Sequence, residues 1–282
     1  MNKPCLSALM LVMTMLAGCD DAVDVEDTDL VVVQAFLFAG EAVSDIRLTS
    51  TVPLGSDPDS APGIDDAAVR LIKDGVIYVL EATGDSGRYV YPGSDLSVLD
   101  GDVFRLEVDY FGRVAWGETV VPAPPIDVAM DGDTLFAPTL GFGGGGRGGG
   151  GGGGGGFNTA GAQLAATWSN PAAMLHFVVV DGLEDDAEPI FPEQFTQRFG
   201  RFRFISEPTT DDFFIVNLLL LESLGRHQVR VYRVNQEYAE LYENRTQDSR
   251  DLNEPPSNIT NGLGVFSAFN SETVPFVVAR SQ

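Results

Sequence analysis

Short stretches of β-branched residues, broken by turn residues at near-regular intervals, limit how this chain folds more than any other feature. Residues 30–38 are dense in Val, Leu and Phe and stop at Gly40, the pattern of a buried strand. Residues 46–52 alternate and end at Pro53, and 54–66 read as a Pro/Gly/Asp/Ser loop. Residues 68–72 and 76–80 flank Lys73-Asp74-Gly75, where the Asp-Gly step supplies the positive φ angles of a tight hairpin. A short strand follows at 88–91. Residues 103–110 then turn at Gly112 into 114–121. This spacing predicts an immunoglobulin-like β-sandwich over 28–122. Pro122, Pro124 and Pro125 form a stiff boundary after it.

A second β-rich domain is expected over 123–282. Its first landmark is the low-complexity stretch 141–157, which holds 14 of the 32 glycines. A Gly-x-Gly-x-x-Gly match at Gly141, Gly143 and Gly146 is forced by that composition, with no flanking strand and helix and no Gly-Lys-Ser/Thr. The stretch reads as a flexible surface loop. Strand patterns follow at 163–168, 174–180, 202–205, 213–218 and 228–234. Asn235 is placed as an N-cap, and Tyr238, Leu241, Tyr242 and Arg245 recur at helical spacing. They predict one amphipathic helix over 236–247, packed on the sheet. The fold class is therefore mainly β, a sandwich followed by a β-rich domain with one helix.

Charge narrows the functional classes. The 282 residues carry 17 Lys+Arg against 41 Asp+Glu, a formal net charge of -24. Neutralising phosphates needs clustered basic residues, so a nucleic-acid binder is excluded. Two cysteines and two histidines exclude a zinc finger, a disulfide scaffold and a Cys/His metal cluster. Residues 1–19 combine Lys3, a short apolar run and small residues before a cysteine, as a signal peptide does. Leu16-Ala17-Gly18-Cys19 resembles the lipobox of bacterial lipoproteins, which implies cleavage before Cys19 and its acylation. The alternative is a secretory signal with a chance cysteine. Cleavage removes Cys5 and Lys3, leaving 16 basic and 41 acidic residues, or -25. The acidic segment 20–29 resembles the surface-export tether of Bacteroidetes lipoproteins, and its self-repulsion equally suits a solvated spacer. The wider acidity, with Arg preferred to Lys, suggests a salty habitat, where screening relieves repulsion.

The densest pattern lies near the C-terminus. Asn235, Glu237, Tyr238, Leu241 and Tyr242 precede Asn253-Glu254-Pro255-Pro256. Ser257-Asn258-Ile259-Thr260-Asn261-Gly262-Leu263-Gly264-Val265-Phe266 then runs to Phe269. This ending resembles that of a Bacteroidetes lipoprotein family, domain of unknown function 4249. Smaller pieces agree: the early Leu-Val-Val strand, Ala68-Val69-Arg70-Leu71, Gly87-Arg88-Tyr89, Thr119-Val120-Val121-Pro122 and Trp168 with Pro171. The resemblance spans nearly the whole mature chain. It departs in the polyglycine insert and in Pro255-Pro256, where the family has one proline before a β-branched residue. Read physically, Gly262 and Gly264 permit a bulge or close backbone approach, and Asn258 and Asn261 can hold a turn. That makes the segment a structural clamp with Phe266 buried. Asn258, Asn261, Gly262 and Gly264 are the candidate binding residues if it is instead a ligand site.

Catalytic chemistry is not legible. His176 lies in an apolar run and His227 is placed in a turn, neither within a triad; Gly-x-Ser-x-Gly and His-Glu-x-x-His do not occur. Asp57-x-Asp59 and Asp131-x-Asp133 do not continue into an EF-hand loop and read as solvated acidic loops. No catalytic residue, cofactor or metal is expected, and the chain is read as a non-enzyme. The resemblance implies a lipid-anchored outer-membrane accessory protein, facing outward, that works with a TonB-dependent receptor in nutrient capture. The alternative is a structural or adhesive surface protein. A concave aromatic-lined pocket in the second domain favours capture, and an exposed flat apolar patch favours protein interaction.

Overall fold

A computed structural model describes residues 30–51, 61–137, 163–191, 204–243 and 257–281. Residues 1–19 with Cys19, the acidic segment 20–29, Asp57-x-Asp59 and the polyglycine stretch 141–157 lie outside them.

The fold is mainly β. The strands are β1 (Val31–Phe38), β2 (Asp45–Ser50), β3 (Ala68–Lys73), β4 (Val76–Ala82), β5 (Arg88–Val90), β6 (Val103–Tyr110), β7 (Arg113–Val120), β8 (Ile126–Met130) and β9 (Thr134–Ala137). They continue with β10 (Gln163–Ser169), β11 (His176–Gly182), β12 (Phe204–Ile205), β13 (Phe213–Asn217), β14 (Gly225–Val234) and β15 (Leu263–Arg280). Among the described residues one α-helix, α1 (Gln236–Glu243), lies between the last two strands; 244–247 of the expected helix lie outside the described residues. Two hairpins form where the sequence predicts them. Asp74 (φ 50) and Gly75 (φ 78) join β3 to β4, and Phe111 (φ 50) and Gly112 (φ 74) join β6 to β7. Left-handed φ at both central residues matches the twist of the flanking strands.

One sheet path runs β12-β11-β14-β15-β1-β2-β5-β4-β3-β6-β7, with β9 beside the end of β15, and a second sheet holds β13-β10-β8. β15 is the hinge of this arrangement. Its first part pairs parallel with β1, from Val32↔Leu263 to Phe38↔Phe269, and its remainder pairs antiparallel with β14. Side chains alternate across a strand, so one face of this sheet carries both cores. On β1, Val33, Ala35 and Leu37 enter a first core with Leu71, Phe104 and Leu106, to which the far end of the chain contributes Ile259, Phe266 and Ala268. On β14, Val229 and Val231 enter a second core with Leu164, Trp168, Val178, Val216 and Phe276.

The opposite face gathers aromatic side chains. Phe177 stacks on Tyr232 at 4.7 Å between centroids, Phe38 on Phe269 at 5.0 Å, and Tyr238 of α1 meets Phe269 edge-on at 4.8 Å. Such pairs add about 0.5–1.5 kcal/mol each beyond their burial. The tyrosine of α1 is thus packed into this third cluster.

Three departures have local causes. β8 and β9 are absent from the sequence reading, because prolines at 122–125 and the Asp131-Gly132-Asp133 turn obscure two short strands. His227 lies inside β14, not in a turn, since the strand starts at Gly225. Asn235 precedes α1 and its carbonyl accepts from Tyr238 and Ala239, yet its side-chain amide donates to Thr119 Oγ1 and the Val120 carbonyl on β7.

Candidate functional site

The segment 257–266 crosses from the open side of β7 to the start of β15. Thr260 makes a two-way backbone bridge with Trp116, its N–H donating at 2.8 Å and its carbonyl accepting at 3.1 Å. Asn258 mimics a strand neighbour: Phe266 N–H donates to its Oδ1 at 2.9 Å and its Nδ2 donates to the Phe266 carbonyl at 2.7 Å. Asn261 adopts φ 58 and donates to the Val114 carbonyl at 3.1 Å. The two glycines are needed for contact. A Cβ at Gly262 would lie 3.0 Å from the Val31 carbonyl oxygen, and one at Gly264, where φ is +104, would lie 2.0 Å from that of Val33. Beneath them Ile259 and Phe266 fill the first core.

The four candidate binding residues are therefore neighbours, but the side-chain amides of Asn258 and Asn261 are bonded to the protein's own backbone, Asn261 at an exposed position. Asn258 spends its amide on the Phe266 backbone, and neither glycine offers a side chain. The arrangement is a clamp that ties β7, β1 and β15 together. An open recess beside it, lined by Leu30, Val31, Val108, Tyr110, Arg113, Ala115 and Asn261, has room for little more than a water.

Other motif pieces are explained the same way. A Cβ at Gly87 (φ +80) would lie 2.0 Å from the Leu48 carbonyl oxygen, and buried Tyr89 accepts from the Ala67 N–H through its hydroxyl at 3.0 Å. Thr119 donates to Glu237 Oε1 at 3.0 Å, joining β7 to α1, and Asn270 donates to the Pro122 carbonyl at 2.9 Å, joining the segment after β7 to β15.

The two histidines lie far apart in the sheet. His176 and His227 are buried at opposite ends of the β11–β14 ladder, near His176↔Arg233 and Gly182↔His227. Nδ1 of each lies against a carbonyl, of Met174 and Gly225 respectively. Burial pushes both imidazoles below their ordinary range, more than those carbonyls raise them. Asp131 Oδ1 accepts from the Ala165 N–H, and Asp133 Oδ1 accepts from Thr134. Among the described residues no group of three or more His, Cys, Asp or Glu is gathered to hold a metal.

The outward face of β4-β3-β6-β7 is the surface that sequence reasoning missed. Arg105 lies 3.9 Å over the Trp116 ring and pairs with Glu107 at 2.9 Å and Glu118 at 3.3 Å, while Arg70 pairs with Glu107 at 3.5 Å. Beside this balanced ladder, Ile72 of β3 pairs with Ile77 of β4, and Val79 lies opposite Arg70. Ile77 and Val79 are exposed. Lys73, one of the chain's two lysines, is committed to Asp102 at 2.5 Å and the Ser97 carbonyl at 2.9 Å. The signal was present in Val76-Ile77-Tyr78-Val79-Leu80, which lacks the polar alternates of a strand with one wet face.

A family described as "Domain of unknown function (DUF4249)" matches residues 20–142. The matched part holds β1 to β9, and the clamp at 257–266 lies beyond it. No curated protein matches this chain. Among solved structures, domains A168–A170 of titin align at 11% identity over 89% of this chain and 66% of that one, with TM-score 0.22. A two-domain fibronectin type III segment of chicken tenascin aligns at 9% over 86% and 96%, with TM-score 0.23. A bacterial ice-binding adhesin aligns at 11% over 90% and 66%, with TM-score 0.21. The chain thus spans just under two thirds of the titin and adhesin chains, and at these scores the likenesses carry no argument.

Proposed function

Given that residues 20–142 belong to the DUF4249 family, we propose that this protein is a lipid-anchored accessory protein of the outer membrane, facing outward. It serves a TonB-dependent receptor in nutrient capture, and it does so by contacting a protein, not by enclosing a small ligand. The supporting observation is the apolar strip of exposed Ile77 and Val79 beside half-buried Ile72 on the outer sheet. A small nutrient needs convergent polar groups in a concavity, whereas a flat apolar strip suits a protein surface. The lipobox at Leu16–Cys19 and the acidic segment behind it supply the anchor and spacing. Binding is non-covalent, with transport energy supplied by the receptor system.

Copurification from detergent-solubilised membranes tests this. The native protein is expected to carry an acylated Cys19 and to bring a TonB-dependent receptor with it. Cys19→Ser is expected to leave the membrane fraction or stay uncleaved. A Cys19→Ser protein that is processed and membrane-bound as before, or a native lipoprotein that elutes without a receptor, overturns the reading.

A further inference from the structure

The bare edge of β4 has a definite hydrogen-bonding capacity. The Asp74-Gly75 turn makes Lys73 and Val76 the pair that closes the hairpin, so Val76, Tyr78 and Leu80 exchange backbone hydrogen bonds with β3. The N–H and C=O groups of Ile77 and Val79 therefore point away from β3. Among the described residues, β5 reaches β4 only at Glu81 and Ala82, and nothing pairs with 76–80 on that side. The opposite margin of the same layer is treated differently, since Thr260 closes over Trp116 on β7. Exposed edges are ordinarily blunted by Lys, Pro or a bulge. This one has none, and its Val76, Ile77 and Val79 are 52%, 57% and 59% exposed.

Charge decides what fits. Asp74 and Glu81 stand exposed at the two ends of the open edge, and neither has an ion pair among the described residues. A second copy is a poor occupant. Antiparallel pairing centred on Tyr78 brings Glu81 of one copy beside Gly75 and Asp74 of the other, at both ends. Like charges opposed across strands repel, in a chain that already carries -25 without its leader. An extended segment with β-branched apolar residues in its middle and basic residues at its ends satisfies the backbone, the apolar strip and both carboxylates.

We propose that β4 is a strand-addition site, where such a basic-ended segment of a partner protein joins the sheet along Ile77 and Val79. The idea rests on the accessory-protein reading and names the feature through which contact is made.

The test uses the full mature lipoprotein in detergent and two synthetic peptides, Lys-Thr-Val-Thr-Val-Thr-Lys and the same sequence with Glu at both ends. The readout is amide hydrogen exchange at Ile77 and Val79. The Lys-ended peptide is expected to slow exchange several-fold at both amides, and the Glu-ended peptide to have little effect. Glu81→Lys should weaken that preference. Val79→Pro removes only an outward N–H, so it should melt near the native protein and lose the protection. Should it fail to fold, Glu81→Lys still decides the matter. Equal protection by both peptides, none by either, or a preference indifferent to Glu81→Lys overturns the proposal. So does full protection in the free chain, which means its own residues cover the edge, or protection that rises with protein concentration alone, which means a second copy does. A receptor that copurifies equally with native and Val79→Pro protein sinks the edge while leaving the accessory role standing.

Discussion

At Gly264 the backbone enters the left-handed region, and the space a side chain needs is filled by the Val33 carbonyl. Gly264→Val is therefore expected to destabilise the protein through both conformation and collision. Phe266→Ala, at a fully buried position, should cost about 3–5 kcal/mol. Thermal melts of the two variants beside a receptor pull-down check this. Native-like melting with lost association would turn the clamp into a recognition surface. The histidines give a second residue-scale expectation. Burial holds His176 and His227 below their ordinary pKa in the folded state, so below about pH 6.5 the unfolded chain binds more protons. Their contribution is complete above that pH and is lost as pH falls toward the folded values, at up to about 1.4 kcal/mol per pH unit for each. Denaturant melts between about pH 7 and about pH 5 should show a shallower slope in His176→Phe and His227→Phe than in the native chain. Unchanged slopes in both would mean the imidazoles are not desolvated. The Asn/Gly spacing at 258–264 was enough to expect a turn over a buried Phe266, because those residue types report on backbone conformation. That both Asn258 donor and acceptor serve Phe266 was not legible, because a chain does not state which residue eight positions away will complete its amide.

Elements whose boundaries are set by local chemistry were readable, and those set by distant partners were not. The Asp74-Gly75 hairpin follows from two turn residues that tolerate positive φ, whereas in the β6–β7 hairpin only Gly112 does and Phe111 is held at φ 50 beside it. β4 was expected as a strand, yet its position at an edge depends on β5 reaching only Glu81 and Ala82, a tertiary outcome. β15 was legible only at its start. Its 18 residues include Pro275, which pairs opposite Gln228 and argues against a central strand when read alone. α1 shows how an element is docked by polar groups. Asn235 donates to Thr119 and the Val120 carbonyl, and Glu237 accepts from Thr119 and from fully buried Ser267. Asn235→Ala is expected to cost about 1–3 kcal/mol, because it removes the donor from the part-buried Thr119 Oγ1 as well as the exposed bond to the Val120 carbonyl. The penalty should shrink when Thr119→Val is already present, a coupling that a double-mutant cycle of chemical denaturation measures. Additive penalties would mean that the helix is held by Tyr238 packing alone.

The molecule as a whole joins two cores through one strand. Leu263 to Phe269 complete the layer beside β1, and Phe269 to Val278 complete the layer beside β14, so neither core keeps a full wall if β15 leaves. The aromatic cluster on the reverse face spans the same junction, with Phe36 and Phe38 from β1 against Phe177, Tyr232 and Phe269. A chain of this length ordinarily unfolds through separable units, since two-state behaviour is usual only below about 150 residues. The shared strand predicts otherwise. The chain's two tryptophans report on the two parts separately: Trp116 lies on the outer layer of the first sandwich, and Trp168 is buried in the second core. Fluorescence melts of Trp168→Phe, which reports through Trp116, and of Trp116→Phe, which reports through Trp168, should agree with their own far-ultraviolet melts. Each protein should show one transition. Both midpoints should also rise together as salt is raised from low concentration, because screening relieves the repulsion of an acidic chain regardless of which part is observed. In Trp168→Phe, a Trp116 signal that persists after the far-ultraviolet signal of the part around the second core has melted would show that β15 pairs with β1 independently of β14. The two cores would then belong to separate folding units that happen to share a strand.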